Sequence, residues 1–110
     1  MQEKNVYSKT SRIGNIGLFD SGIGGVTVLR EILKILPNEN YIYYSDSKNN
    51  PYGDKTEKEV LEICNNIVKK LLEQDCKVIV IACNTASAKA VSYLRKKYNR
   101  DTIYCDRTSL

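Results

Sequence analysis

Along this chain the apolar residues fall into two patterns, short continuous runs and stripes at helical spacing, and the two patterns take turns. The first run, NIGLFD over Asn15 to Asp20, follows a polar leader at residues 1–14 and ends on an acid, with SGIGG directly behind it. Val26, Leu29, Ile32, Leu33 and Leu36 then recur at the spacing of one helix face, and Pro37 stops the element. NYIYYS, Asn40 to Ser45, is rich in aromatic and β-branched side chains and predicts a second strand. The polar DSKNNPYGDK that follows contains Asn-Asn-Pro and Tyr-Gly-Asp steps, which predict an irregular loop. Thr56 with Glu59 three residues on is a capping-box pattern, and Val60, Ile63, Cys64, Ile67, Val68, Leu71 and Leu72 make one broad apolar face of a long helix. KVIVIA, Lys77 to Ala82, lacks polar alternation, as expected of a strand covered by helices on both faces. Ala86 to Tyr98 returns to helical content, and TIYC near the end is a candidate fourth strand.

Strand and helix alternating in this way predict an α/β fold, an open parallel sheet flanked by helices with right-handed crossovers. In such sheets ligands collect outside the carboxyl ends of the strands. The predicted strands here exit into Asp20-Ser21-Gly22, into Ser45-Asp46 with the loop to Gly53, and into Cys83-Asn84-Thr85. Three polar clusters therefore converge on one edge of the sheet.

Composition narrows the function more than the fold. The 110 residues suffice for one domain, and the net charge of +4 comes from lysines and arginines scattered through helical stretches such as NNIVKKLLEQ and YLRKKYNR. Without a basic stripe interleaved with aromatics, no nucleic-acid partner is expected. No run of about eighteen apolar residues exists and the leader has no apolar core, so the expectation is a cytoplasmic protein without a membrane partner. The four cysteines, at positions 64, 76, 83 and 105, include no C-x-x-C pair, and the chain has no histidine, so neither a metal site nor a disulfide framework is expected. Without histidine, proton chemistry falls to carboxylate, thiol, lysine or tyrosine.

Each cluster admits a plain structural role. In DSGIGG the glycines either let the chain turn tightly with Ser21 capping the helix, or they expose amides that hold an anion at the helix N-terminus. Gly22-Ile-Gly24, with Asp46 some way on, also resembles the start of a dinucleotide fingerprint, but Thr27 stands at the third glycine position and Asp20 would bring negative charge to a pyrophosphate. NNPYGD reads as a proline turn with an exposed tyrosine, or as Tyr52 and Gly53 presented to a small ligand. Cys83 is either core filler or a thiol activated by helix N-terminal amides at a strand-to-helix junction. Cys64, on the apolar face of the long helix, and Cys76, in the turn after it, are assigned to packing.

Together IGLFDSGIGG, YYSDSKNNPYGD and VIVIACNTASA resemble, in order and spacing, the N-terminal signatures of glutamate racemase, within the aspartate/glutamate racemase superfamily. The resemblance covers roughly Ile16 to Tyr98 and implies one lobe of a two-lobed racemase fold. It implies a cofactor-independent isomerase that interconverts L- and D-glutamate with two cysteines and supplies D-glutamate for peptidoglycan, hence cell wall and cell shape. By the same resemblance Cys83 is the first catalytic cysteine, and Asp20, Ser21, Tyr52, Gly53, Asn84 and Thr85 are substrate-binding residues. The only partner implied is the small-molecule substrate, and homo-oligomerisation of the complete protein is left open.

Family members are much longer, and their second lobe carries the other cysteine in a Gly-Cys-Thr-His type motif. Here the match fades near Tyr98, and NRDTIYCDRTSL does not look like the next strand of the family. The expected layout is a leader at 1–14, a racemase-type lobe at 15–98 and a non-matching tail at 99–110, with the second lobe absent. This would be a truncated chain, inactive or very slow on its own. Two alternatives stay open: a related racemase acting on aspartate, and a non-catalytic nucleotide-binding α/β module.

Overall fold

The structure, a computed structural model, describes residues 14–22, 24–83 and 88–105. Four strands, β1 (Asn15–Asp20), β2 (Tyr41–Ser45), β3 (Cys76–Ile81) and β4 (Ile103–Cys105), alternate with three helices, α1 (Gly25–Ile35), α2 (Glu57–Glu73) and α3 (Ala88–Tyr98). All strand pairs are parallel and the order across the sheet is β2-β1-β3-β4. The chain steps from β1 to β2 on one side and then crosses to β3 on the other. The strand order thus reverses between β1 and β3, and this is the topological switch point of the sheet.

Local chemistry explains the elements. Thr56 caps α2 in both directions: its hydroxyl accepts the Glu59 N–H at 3.1 Å and its own N–H donates to Glu59 Oε1 at 2.8 Å. Asp75, in the left-handed region at φ 61°, ends the turn behind α2. Cys76, which the sequence placed in that turn, is instead the first residue of β3. Its backbone pairs with Asn15, so the strand begins one residue before the apolar run that marks it.

The two faces of the sheet are covered unequally. The Phe19, Ile79, Ile81 and Ile103 side lies under α2 and α3 and holds the core, with Val60, Cys64, Ile67, Val68, Leu71, Val91 and Leu94 packed against it. Gly17 allows α2 to approach: a Cβ there would meet Cys76 Sγ at 2.8 Å and Leu71 Cδ1 at 3.3 Å. On the other face α1 packs on β1. Tyr43, Leu18, Val80 and Tyr104 form a row across that face, and exposure rises along it from 0% at Leu18 to 47% at Tyr104. The α1 stripe read from the sequence keeps its helical spacing but not its burial, because Val26, Leu33 and Leu36 remain exposed. One helix over one strand leaves the flanks of that stripe in water.

Burial pushes the Cys76 thiol up to about 11, with Asp75 adding to the shift. Filling the space it shares with Gly17 tests the packing directly. Gly17→Ala is expected to lower stability by about 1–3 kcal/mol in urea denaturation, the range for overpacking a tight interior site.

Candidate active site

The last backbone link between β1 and β3 is the Ala82 N–H, which donates to the Phe19 carbonyl at 2.8 Å. Cys83 follows Ala82 directly, and Ser21 lies two residues beyond Phe19. Both ends of the switch point therefore carry a polar or reactive side chain, as the sequence predicts. Cys83 is 5% exposed and packs in the core cluster with Phe19, Tyr52, Cys64 and Val91. Asn84 and Thr85, the other two candidates of that cluster, lie outside the described residues.

Asp20 ends β1 and is fully buried. A buried carboxylate is tolerated only when its oxygens are satisfied. Here Oδ1 accepts the Gly22 N–H at 2.8 Å, and Oδ2 accepts both the Gly25 N–H at 2.7 Å and the Tyr43 hydroxyl at 2.6 Å. The glycines are needed for different reasons. Gly22 and Gly24 hold φ of 105° and 91°, whereas Gly25 has no room for a side chain, because a Cβ there would collide with the Asp20 carboxylate. The helix cap is therefore Asp20, with Gly24 at the cap position, and Ser21 is left half-buried beside the crevice. Two amides of this turn, those of Gly22 and Gly25, are occupied by the protein's own acid. This weighs against the nucleotide-binding alternative.

The second cluster closes in the same manner. Asp46 follows β2 and its N–H donates to the Asp20 carbonyl at 2.9 Å. Its carboxylate is buried and accepts the Tyr52 hydroxyl at 2.6 Å and Asn49 Nδ2 at 3.0 and 3.1 Å. Tyr52 is only 2% exposed, so the exposed-tyrosine reading of NNPYGD does not hold. Its ring sits in the core beside the thiols. Burial, then the hydrogen bond to Asp46 and its charge, then Cys64 and Cys83, all push the phenol far above its ordinary value. Gly53, next in the same 3-10 turn, is exposed with open space around its α-carbon.

The structure thus sets Asp20 and Ser21 at the end of β1 and Cys83 past the end of the adjacent β3, and it seats Tyr52 in the core cluster that Cys83 shares. It also adds Tyr43 and Asn49, which sequence reasoning missed. Asn49 had a faint signal, an amide three residues after Asp46 in a turn-rich stretch. Tyr43 had only its place in a strand, at the start of the YYSDSKNNPYGD stretch.

Tyr52 gives a pH-dependent prediction. Its folded-state pKa lies above the unfolded value of about 10, so the stability it contributes is intact below about pH 10 and is lost as pH rises further. Tyr52→Phe is expected to cost about 1–3 kcal/mol at neutral pH by leaving Asp46 short of a donor, and to flatten the loss of stability above about pH 10. Urea denaturation across that pH range checks both effects.

No family profile matches the chain. Individual relatives do: the glutamate racemase of Clostridium botulinum is 54% identical over 83 residues, covering 76% of this chain and 32% of that protein. The glutamate racemase of Fusobacterium nucleatum is 49% identical over 92 residues, covering 83% of this chain and 34% of that one. Among solved structures, the glutamate racemase of Thermus thermophilus in complex with β-chloro-D-alanine superposes with a TM-score of 0.74 at 40% identity, over 83% of this chain and 35% of that one. The chain spans about a third of the length of the curated relatives it matches. In sequence and in fold, then, this chain is a relative of the glutamate racemases that corresponds to one part of their length.

Proposed function

We propose that this chain is the amino-terminal lobe of a glutamate racemase and that Cys83 exchanges a proton with the α-carbon of glutamate on one face. The observation that carries the reading is the position of Cys83, the second residue past β3, where the strand order reverses. The Thermus thermophilus relative was solved with a D-amino acid bound, which supports an amino acid as the ligand class. The pathway role that follows is supply of D-glutamate for peptidoglycan.

The chemistry demands much of the crevice. An α-proton beside a carboxylate is a poor acid, so the base must be held in place and the developing carbanion stabilised. Cys83 as thiolate takes the proton. Ser21, Asn84 and Thr85 are the hydrogen-bond partners we assign to the substrate, and Gly53 offers close backbone approach. Asp20 and Tyr52 act from behind this layer, since both are buried and paired within the protein. Neither the thiol reaction nor the contacts assigned here require a cofactor. Inversion needs a second acid on the opposite face of the carbon, so a lobe with Cys83 as its one base exchanges without inverting.

Incubation of the chain with L-glutamate in heavy water tests this. Slow α-deuteration of recovered L-glutamate, lost in Cys83→Ala, is the expected result, with D-glutamate absent or very slow to form. Exchange that survives Cys83→Ala would overturn the role of Cys83. Appreciable deuterated D-glutamate would overturn the one-face account.

A further inference from the structure

Tyr43 opens the YYSDSKNNPYGD stretch with no role assigned to it there, yet its hydroxyl reaches the most buried carboxylate of the strand ends. It donates to Asp20 Oδ2, the oxygen that also accepts the Gly25 N–H, while Oδ1 accepts the Gly22 N–H. The three donors are not equivalent. Gly22 and Gly25 belong to the turn that the carboxylate organises, and they move with it. Tyr43 stands on β2, which is paired in register with β1, Leu18 opposite Tyr43 and Asp20 opposite Ser45. It is the donor, among these three, that ties the carboxylate to the neighbouring strand. A Cβ on Gly25 would lie 2.9 Å from Tyr43 Cε1 as well as against the carboxylate, so turn, acid and ring share one packed contact.

Burial, then the hydrogen bond to Asp20 and its charge, push the Tyr43 phenol up from its ordinary value. Ser21 is the residue between this anchor and the crevice, half-buried and directly attached to Asp20. We propose that Tyr43 is a positioning residue of this site: by pinning Asp20 from β2 it fixes the glycine turn, and with it the direction in which Ser21 meets a ligand between β1 and β3. The proposal rests on the racemase reading only for the choice of glutamate as ligand.

Tyr43→Phe removes the hydroxyl and keeps the ring. Tyr41→Phe is the matched control, because Tyr41 lies on the same strand and donates instead to the Leu36 carbonyl, away from the site. In the 110-residue chain, Tyr43→Phe is expected to speed amide hydrogen exchange at Gly22 and Gly25 about tenfold, as for loss of one bond to a charged group. Amides of α2 should be unaffected, and Tyr41→Phe should change neither set. D-glutamate affinity, read by titration calorimetry, is expected to fall about tenfold in Tyr43→Phe alone. In the unmutated chain the Tyr43 hydroxyl proton should give a slowly exchanging resonance with a cross-peak to the Gly25 amide, a readout that needs no variant to fold.

Unchanged exchange at Gly22 and Gly25, uniform acceleration across the sheet, or absence of that cross-peak each overturns the proposal. So does unchanged D-glutamate affinity in Tyr43→Phe when the unmutated chain binds. If the unmutated chain binds no glutamate, the racemase reading fails, and the exchange at the two glycines still decides for or against the anchor.

Discussion

A buried carboxylate at the end of the first strand governs how this fold presents its chemistry. Asp20 is cut off from water, so it must find its hydrogen bonds inside the protein, and it finds them in two glycine amides and a tyrosine of the neighbouring strand. That single requirement fixes the turn into α1, forbids a side chain at Gly25, and sets β2 beside β1 where Tyr43 can reach. Asp46 repeats the device one strand over, with Tyr52 and Asn49 as its donors. Two acids thus consume polar groups that the sequence alone would have offered to a ligand.

Under the proposed function, what remains for a ligand is the ground beside those acids. Ser21 lies in front of Asp20, Gly53 lies beside Tyr52, and Cys83 follows β3 across the switch point. The division has a physical logic. Hydrogen bonds to buried carboxylates join the strand ends, and in the proposed reading the small, neutral or nucleophilic groups next to them meet the substrate. In that reading Asp20 and Tyr52 support the site from within the protein.

The strands and helices were legible in the sequence because each follows from a local period. NIGLFD and KVIVIA run continuously apolar, the α2 face repeats at helical spacing, and the Thr56–Glu59 box is a reciprocal pair visible in the letters. The start of β3 was missed by one residue because Cys76 looks like turn or strand alike. Three further features were not legible, each because it depends on contacts between distant segments. The exposure of Val26, Leu33 and Leu36 reflects how little of the sheet α1 covers. Burial of Tyr52 depends on an acid from another element, and Tyr43 acquires its role only when β2 pairs with β1. Cys83 was legible as a candidate because it follows directly on a continuously apolar run.

Under the proposed function an amino acid binds this chain at the ends of β1 and β3. Chemical-shift mapping with D-glutamate on the isotope-labelled chain tests it most directly. The account predicts saturable shifts at the amides of Ser21, Gly53 and Cys83, with the far ends of the same strands, Asn15 and Cys76, unmoved. Shifts confined to other surfaces, or none at saturating ligand, would contradict it.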